Sequence, residues 1–419
     1  MRRFLVLSLT LAGCAGKTNA PSTEPASAAP TPPTEATKLD LDALLARELD
    51  KLPAPRALSG PQGVFTAEVP AARPPEVKVT EGPAIASWSI GTEQDVQCII
   101  YAQRMNIADV LNTLFTSAVL EKMSTTKIER IDAGEAGGQP FLEIDALYTM
   151  ESAGHSAVGE IKLAAIAHHD VSLVCTHDEP GYRASFRNTI AALAATFKIN
   201  EDAAPAKPSY HAIHAIEVAG ARFGFHETVL VKDADDKLTH VTSIAMLVPT
   251  KDGKLSSMDT DVIEVTDKSG RMLEGKYVAV NDHEETTNLQ LTQKDKKTYA
   301  VEGTAKGKPV KTEIVSKAGL VGEVGQYLLA AQALAKKNKK WTALVFDPST
   351  KPDAAQEVGY EMTADKEDGM PIATMKQGED RLRVTLDPQG HNVVLYLLGE
   401  DGKAAMTIRR VWVEGVATK

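Results

Sequence analysis

The chain has 419 residues, 43% of them hydrophobic and 24% charged, with a formal net charge of −10. That length admits two or three domains, and the apolar content is enough to build real cores. The acidic balance argues against a nucleic-acid partner and against electrostatic docking on anionic lipid.

At the start, Arg2 and Arg3 precede a short apolar run, Phe4 to Leu11. A charged start, about 7–15 apolar residues and a small-residue cleavage site make a secretory signal peptide. The run is too short for a membrane span, which needs about 20 apolar residues. It closes on Leu11-Ala12-Gly13-Cys14, which resembles the lipobox of bacterial lipoproteins at every position. The resemblance implies removal of residues 1–13 and a diacylglycerol thioether on Cys14, followed by acylation of the new amino group. Two or more acyl chains hold a protein firmly at a bilayer. Ala15, in place of the aspartate that often retains lipoproteins at the inner membrane, points to the outer membrane of a Gram-negative bacterium.

Residues 14–37 form the expected tether. Five prolines, six alanines and seven Ser/Thr over residues 15–37 cannot bury a core. At about 3.1 Å per residue in an extended chain, the tether would hold the body well clear of the bilayer. Within residues 38–58, Leu41, Leu44, Leu45, Leu49 and Leu52 follow helical spacing up to Pro53. This predicts a short helix acting as a lid on the next domain.

Residues 59–199 mix strands and helices. Strand patterns cover 64–69, 84–90 and 96–103. Ile107, Val110, Leu111, Leu114, Phe115, Ala118 and Val119 then make the clearest helical stripe in the chain. Asn106 is the candidate cap, and Asp109 suits the positive end. Strands follow around 141–148, 157–167 and 171–176, then a second helix from about Gly181 to Phe197. The expectation is an α+β fold, an antiparallel sheet with packed helices. The closing strand, Gly181-Tyr182 and the helix ending Phe197-Lys198-Ile199 resemble the PsbP-like fold, a family mostly of binding or assembly modules.

Residues 200–210 carry Pro205 and Pro208 and read as a linker between separately folding modules. Beyond it, residues 211–419 alternate apolar and polar residues, as in Leu289 and Leu291 or Leu382, Val384 and Leu386. Alternation implies antiparallel strands with one buried face. Asp252-Gly253, Ser269-Gly270, Gln389-Gly390 and Asp401-Gly402 mark turns. Eight strand patterns precede one helix, Val321 to Lys337, and six follow it. Val324, Leu328 and Ala331 are its expected inward side, lining a candidate apolar pocket. The layout predicts a large, mostly antiparallel β half-barrel covered by one helix. It resembles the LolA-like half-barrels of envelope lipoproteins and carriers. It also resembles the β-region associated with bacterial transglutaminase-like domains, near Gly220 to His226 and Trp341 to Asp347. The first resemblance implies an acyl chain held between sheet and helix.

Other motifs are weak. Cys98 shares a strand face with Val96 and Ile100, and Cys175 with Val171 and Leu173. The pair is a candidate disulfide in an oxidising compartment, the alternative being two buried free thiols. His168, His169 and His177 flank Cys175, yet a buried thiol among apolar neighbours is inert. His211 and His214 fall on opposite faces of a strand. Asp233, Asp235 and Asp236 lack the EF-hand glycine and distal glutamate. Gly319, Gly322 and Gly325 do not match a dinucleotide fingerprint. No metal, cofactor or catalytic constellation is expected.

These patterns lead to a non-enzymatic lipoprotein of the cell envelope, with binding or scaffold modules facing the periplasm. Its expected contacts are the membrane, through the N-terminal lipid, and an acyl chain or an envelope protein. The alternatives are a lipid or lipoprotein carrier, which needs an apolar cavity, and an enzyme, which needs a polar cleft. Replacing Cys14 by serine is expected to abolish fatty-acid labelling and release the protein from the membrane fraction. A Cys14→Ser protein that still incorporates labelled palmitate would contradict the lipobox reading.

Overall fold

A computed structural model of the chain describes residues 41–415, apart from 123–124, 153–154, 169–170, 201–206, 234 and 251–253. The lipobox, Cys14 and the tether lie outside the described residues, as do His169 and the 252–253 turn.

The N-terminal half opens with α1 (Leu41–Leu45), followed by β1 (Pro55–Ser59) and β2 (Phe65–Pro70). The expected helix to Leu52 stops at Leu45, with no buried residue. Its continuation is diverted to α3, described below: the carbonyl of Arg47 accepts the Tyr182 N–H at 2.6 Å. Next come β3 (Glu76–Val79), β4 (Ala84–Ser89), β5 (Asp95–Tyr101) and α2 (Ile107–Lys122). Four strands follow: β6 (Thr125–Ala136), β7 (Gln139–Ser152), β8 (His155–His168) and β9 (Val171–His177). The half closes with α3 (Arg183–Thr196) and β10 (Lys198–Ile199). β3–β9 form a seven-stranded sheet in the order β3-β4-β5-β9-β8-β7-β6, and β1, β2 and β10 form a small second sheet.

Alternation along these strands serves two cores. Trp88, Cys98, Ile166, Leu173 and Cys175 pack with Phe186, Ile190 and Leu193 of α3. Leu142, Ile144, Leu163 and Val174 pack with Ile107, Leu111 and Phe115 of α2.

The C-terminal half is one fourteen-stranded antiparallel sheet. Its first meander is β11 (Tyr210–Val218), β12 (Ala221–Lys232), β13 (Leu238–Pro249) and β14 (Leu255–Thr266). It continues through β15 (Met272–Asn281), β16 (Glu284–Gln293), β17 (Thr298–Ala305) and β18 (Lys308–Val315). After α4 (Glu323–Lys336), a second meander runs through β19 (Lys340–Val345), β20 (Gln356–Glu367) and β21 (Met370–Gln377). It ends with β22 (Asp380–Leu386), β23 (Asn392–Leu398) and β24 (Ala404–Glu414). Pairing of β11 with β24 joins the meanders, so β18 and β19 are the two edges of an open sheet. Backbone bonds from Met272 N–H to the Leu320 carbonyl and from Val321 N–H to the Leu344 carbonyl tie the chain entering α4 to β15 and β19. The entry is tight: a Cβ on Gly325 would stand 2.4 Å from the Gly270 carbonyl oxygen in the β14–β15 turn.

Elements pack on both faces of this sheet, α4 on part of one and the N-terminal half on the other. Ile213, Phe225, Ala245 and Leu247 belong to the same cluster as α2, Leu142 and Leu163. Residues 42–419 accordingly make one compact unit, and the regions on either side of the linker share a core. Apolar alternation shows that a strand has a buried face but not what buries it, and here the neighbour is the other half of the chain. A polar join reinforces the contact. Arg104 Nη2 lies 2.7 Å from Glu227 Oε2, and His211 Nε2 lies 2.9 Å from Glu227 Oε1.

With this shared core, the two halves are expected to melt together. Leu247→Ala, at a fully buried position on β13, is expected to destabilise the protein by about 2–5 kcal/mol. Hydrogen exchange should show β7 and β8 losing protection in step with β13. Two transitions, only one of them shifted, would restore the picture of independent modules.

Candidate functional site

The long helices are seated by carboxylates from elsewhere in the chain. The first backbone N–H groups of a helix have no intrahelical acceptor and favour an anion. For α2, Ala108 and Asp109 donate to Asp259 Oδ1 and Oδ2 at 3.0 and 2.9 Å. The acceptor is on β14 of the other half, where the sequence suggested Asn106. For α3, Ala184 and Ser185 donate to Glu48 at 2.7 and 2.8 Å. For α4, the Glu323 N–H donates to Glu264 Oε2 at 2.7 Å. Glycine stands at the N-cap of α4 and supplies no side-chain acceptor.

Glu264 points into the concave side of the fourteen-stranded sheet. There a cavity of about 470 Å3 opens between the two meanders and the first turn of α4. Alternate residues of one meander turn into it, among them His226, His240, Thr242, Thr260 and Glu264. Tyr360, Met375 and Leu395 face them from the other meander, with Phe346 and Asp347 just past β19. Gln326 and Glu323 come from α4. The wall is therefore mixed, apolar in much of its area and polar at defined points.

Hydrogen bonds fix the polar points. The Tyr277 hydroxyl donates to Glu264 Oε1 at 3.1 Å. The Tyr360 hydroxyl donates to Gln326 Oε1 at 2.8 Å, and Gln326 Nε2 donates to Glu323 Oε2 at 3.1 Å. Gln377 Nε2 donates to Asp347 Oδ2 at 2.6 Å. Burial pushes Glu264 up to about 7, with the neighbouring Glu323 adding to the rise against two hydrogen-bond donors. Burial also raises Glu323. His240 is pushed down to about 3, first by burial and then by His391. It stays a neutral imidazole at ordinary pH.

The sequence-based pocket residues fall elsewhere. Val324 is buried in a small cluster with Tyr210, Ala212, Leu230 and Leu238. Leu328 is 40% exposed. The inward stripe of α4 is Val324, Tyr327, Ala330 and Ala333, so the face containing Leu328 and Ala331 is rotated from the expected one. Tyr327 sets that phase. Its ring packs edge-on to His391 at 4.8 Å and to His240 at 5.9 Å. Val324, Leu328 and Ala331 do not line the cavity; Val321, Glu323 and Gln326 do. Strand alternation groups His240 with Thr242 and Ile244, a signal present in the sequence. Only the curvature of the sheet reveals that their face is the concave one.

Cys98 and Cys175 form a disulfide between directly paired residues of β5 and β9, their Cα atoms 4.0 Å apart. This removes Cys175 as a nucleophile. His177 stacks on Phe186 at 5.9 Å inside the same half. His211 and His214 split across β11: one bonds Glu227 and the other the Asn392 carbonyl. Among the described residues, no group of three or more His, Cys, Asp or Glu side chains is arranged to hold a metal ion. A second polar cluster lies on the seven-stranded sheet near the start of α3. There Glu160 and Lys162, both fully buried, meet Arg183 and Asp145. Its charges are mutually paired, as structural ion networks are.

No protein-family model matches the chain, and no curated protein sequence matches it. Among solved structures, it is similar to a β-barrel-like protein of a domain of unknown function from Brucella abortus. The identity is 13% and the TM-score 0.40, over 51% of this chain and 100% of that one. The cyanobacterial PsbP protein of Synechocystis is 10% identical with a TM-score of 0.25, over 38% of this chain and 99% of that one. A protein from another family of unknown function, in Pseudomonas aeruginosa, is 10% identical with a TM-score of 0.22, over 47% of this chain and 95% of that one. These weak likenesses say nothing of activity or ligand.

His240 gives a pH test of this interior. A histidine held at about 3 when folded and about 6.5 when unfolded supports folding above 6.5 and loses that support as pH falls. Over that window the wild type should lose about 1.4 kcal/mol per pH unit relative to His240→Asn. Chemical denaturation of both proteins from pH 7 to 4 measures the difference. Parallel curves would place a proton on the folded imidazole.

Proposed function

We propose that this protein is a lipid-anchored binding protein of the cell envelope, in which the concave side of the fourteen-stranded sheet takes up a small ligand. One observation carries the reading, the cavity of about 470 Å3 between the two meanders and α4. Ligand pockets typically measure about 300–1,000 Å3, with a largely apolar wall and a few placed polar groups. The lipobox at Leu11 to Cys14 supports anchoring at the outer membrane, with the tether carrying the body into the periplasm. No helix among the described residues is long and apolar enough to cross a membrane.

A binding role suits the cavity better than catalysis. Its carboxylates hold the wall together: Glu264 seats α4, Glu323 bonds Gln326, and Asp347 takes the Gln377 amide. A pure acyl-chain carrier suits it less well, because a hydrocarbon would strand Glu264, Glu323 and His240 without water.

Native mass spectrometry of the full-length lipoprotein, purified from envelope membranes, tests the proposal. A bound small-molecule mass is expected in the wild type and absent in Ala279→Trp, which fills the cavity from β15. Equal apo masses for the two proteins would leave only a scaffold role.

A further inference from the structure

The cavity wall is unbalanced in charge. Glu264, Glu323 and Asp347 line it, and no lysine or arginine does. Among the described residues, none of the three carboxylates takes part in a salt bridge. Their partners are neutral donors: the Tyr277 hydroxyl and the Glu323 N–H for Glu264, the Gln326 amide for Glu323, and the Gln377 amide with Ser349 and Thr350 for Asp347. The α4 N-terminus favours the Glu264 carboxylate, but no lysine or arginine pairs with any of the three, and a low-dielectric interior penalises unpaired charge. Buried Asp259 likewise has only backbone N–H partners, as the cap of α2, but other buried acids are paired with cations. Buried Glu160 faces Lys162 and Arg183, Glu227 faces Arg104, and Asp387 faces Arg410.

A second, independent feature lies in the same wall. His240 is 1% exposed, and its Nε2 has no hydrogen-bond partner among the described residues. Buried polar atoms in native proteins are almost always satisfied, so an orphan on a cavity wall marks a place for a ligand atom. With its other nitrogen near the Thr242 hydroxyl at 3.5 Å, the neutral ring can present Nε2 as an acceptor. Aromatic rings complete the setting. Tyr277, Phe346 and Tyr360 line the space, and ring faces attract cations within about 6 Å.

We propose that the cavity recognises an organic cation, an amine with an apolar body, whose ammonium group sits among Glu264, Glu323 and His240. The proposal rests on the binding role argued above and names its ligand class. The ammonium supplies what the wall lacks, a positive charge with N–H donors. The apolar body lies along Val262, Val278 and Leu395, which share the wall. Anions are disfavoured by the same three carboxylates, and a neutral analogue gains only the apolar contact.

Calorimetric titration of the full-length protein in detergent with three probes of one skeleton tests this. The probes are 2-phenylethylamine, 2-phenylethanol and 3-phenylpropanoate. The amine is expected to bind at least about tenfold more tightly than the alcohol, and the acid not to bind. Glu323→Gln, nearly isosteric, should weaken the amine about tenfold and leave the alcohol unchanged. Asp347→Asn serves as a second variant, with melting temperatures confirming that both fold. The inference is overturned if the amine fails to bind, if the alcohol matches it, or if both variants hold the amine as well as the wild type. Such a result leaves the binding role itself to the mass-spectrometry comparison with Ala279→Trp. A co-purified mass lost in that variant, together with no preference for the amine, would retain the cavity as a site and reject a cationic ligand.

Discussion

Among the described residues, each long helix is held at its N-terminus by a carboxylate from a distant part of the chain. Asp259 seats α2, Glu48 seats α3 and Glu264 seats α4. These bonds decide more than helix stability. Asp259 and Glu264 lie on the same strand, β14, at positions of opposite parity, so one points to each face of the fourteen-stranded sheet. Through Asp259 the convex face grips α2 and with it the seven-stranded layer. Through Glu264 the concave face grips α4 and fixes where the cavity stops. A single strand thus sets the positions of both covering layers.

The sheet needs such coverage because it is long and two-faced. Fourteen antiparallel strands carry apolar residues on both sides of β11–β14. One helix is too small for the concave side. α4 covers part of it with Val324, Tyr327, Ala330 and Ala333, while its first turn, with Glu323 and Gln326, borders open space. The cavity is what remains when a narrow helix lies in a wide curved sheet. The edges β18 and β19 stay unpaired with one another, and the strand-like entry to α4 bonds instead to β15 and β19.

Much of the architecture was legible in local pattern. The eight strands before α4 and six after it follow from alternation and turn residues, and α2 follows from its stripe. Apolar strand faces marked Cys98 and Cys175 as either a bridge or two buried thiols, and direct pairing of β5 with β9 makes the bridge. Other features depended on geometry that no local pattern carries. β6 escaped because a bulge between Ile128 and Arg130 breaks its alternation. The phase of α4 departs from its leucine spacing because Tyr327, and not Leu328, finds ring partners in His240 and His391. The caps were missed because each comes from dozens of residues or more away. The cavity residues were missed because their acids and histidines sit among ordinary strand residues, and only curvature brings them together.

Glu264 and Glu323, both raised by burial, oppose stability at neutral pH. Glu264 rises to about 7 through burial, against an unfolded value near 4.3. A raised acid supports folding below its unfolded value, and that support is lost as pH climbs through the folded one. Asp259, also raised to about 7 by burial, behaves alike, but two backbone N–H groups and a helix end justify its place as structure. Glu264 has the same cap role, yet Glu323 beside it has none, and Glu323 is among the groups that push Glu264 upward. The cap is received by the backbone N–H of Glu323 and not by its side chain. The second carboxylate therefore weakens the helix seat it adjoins. Sites where a chain breaks its own packing rules are where function is expected, and here the broken rule is an unpaired negative charge facing an open space.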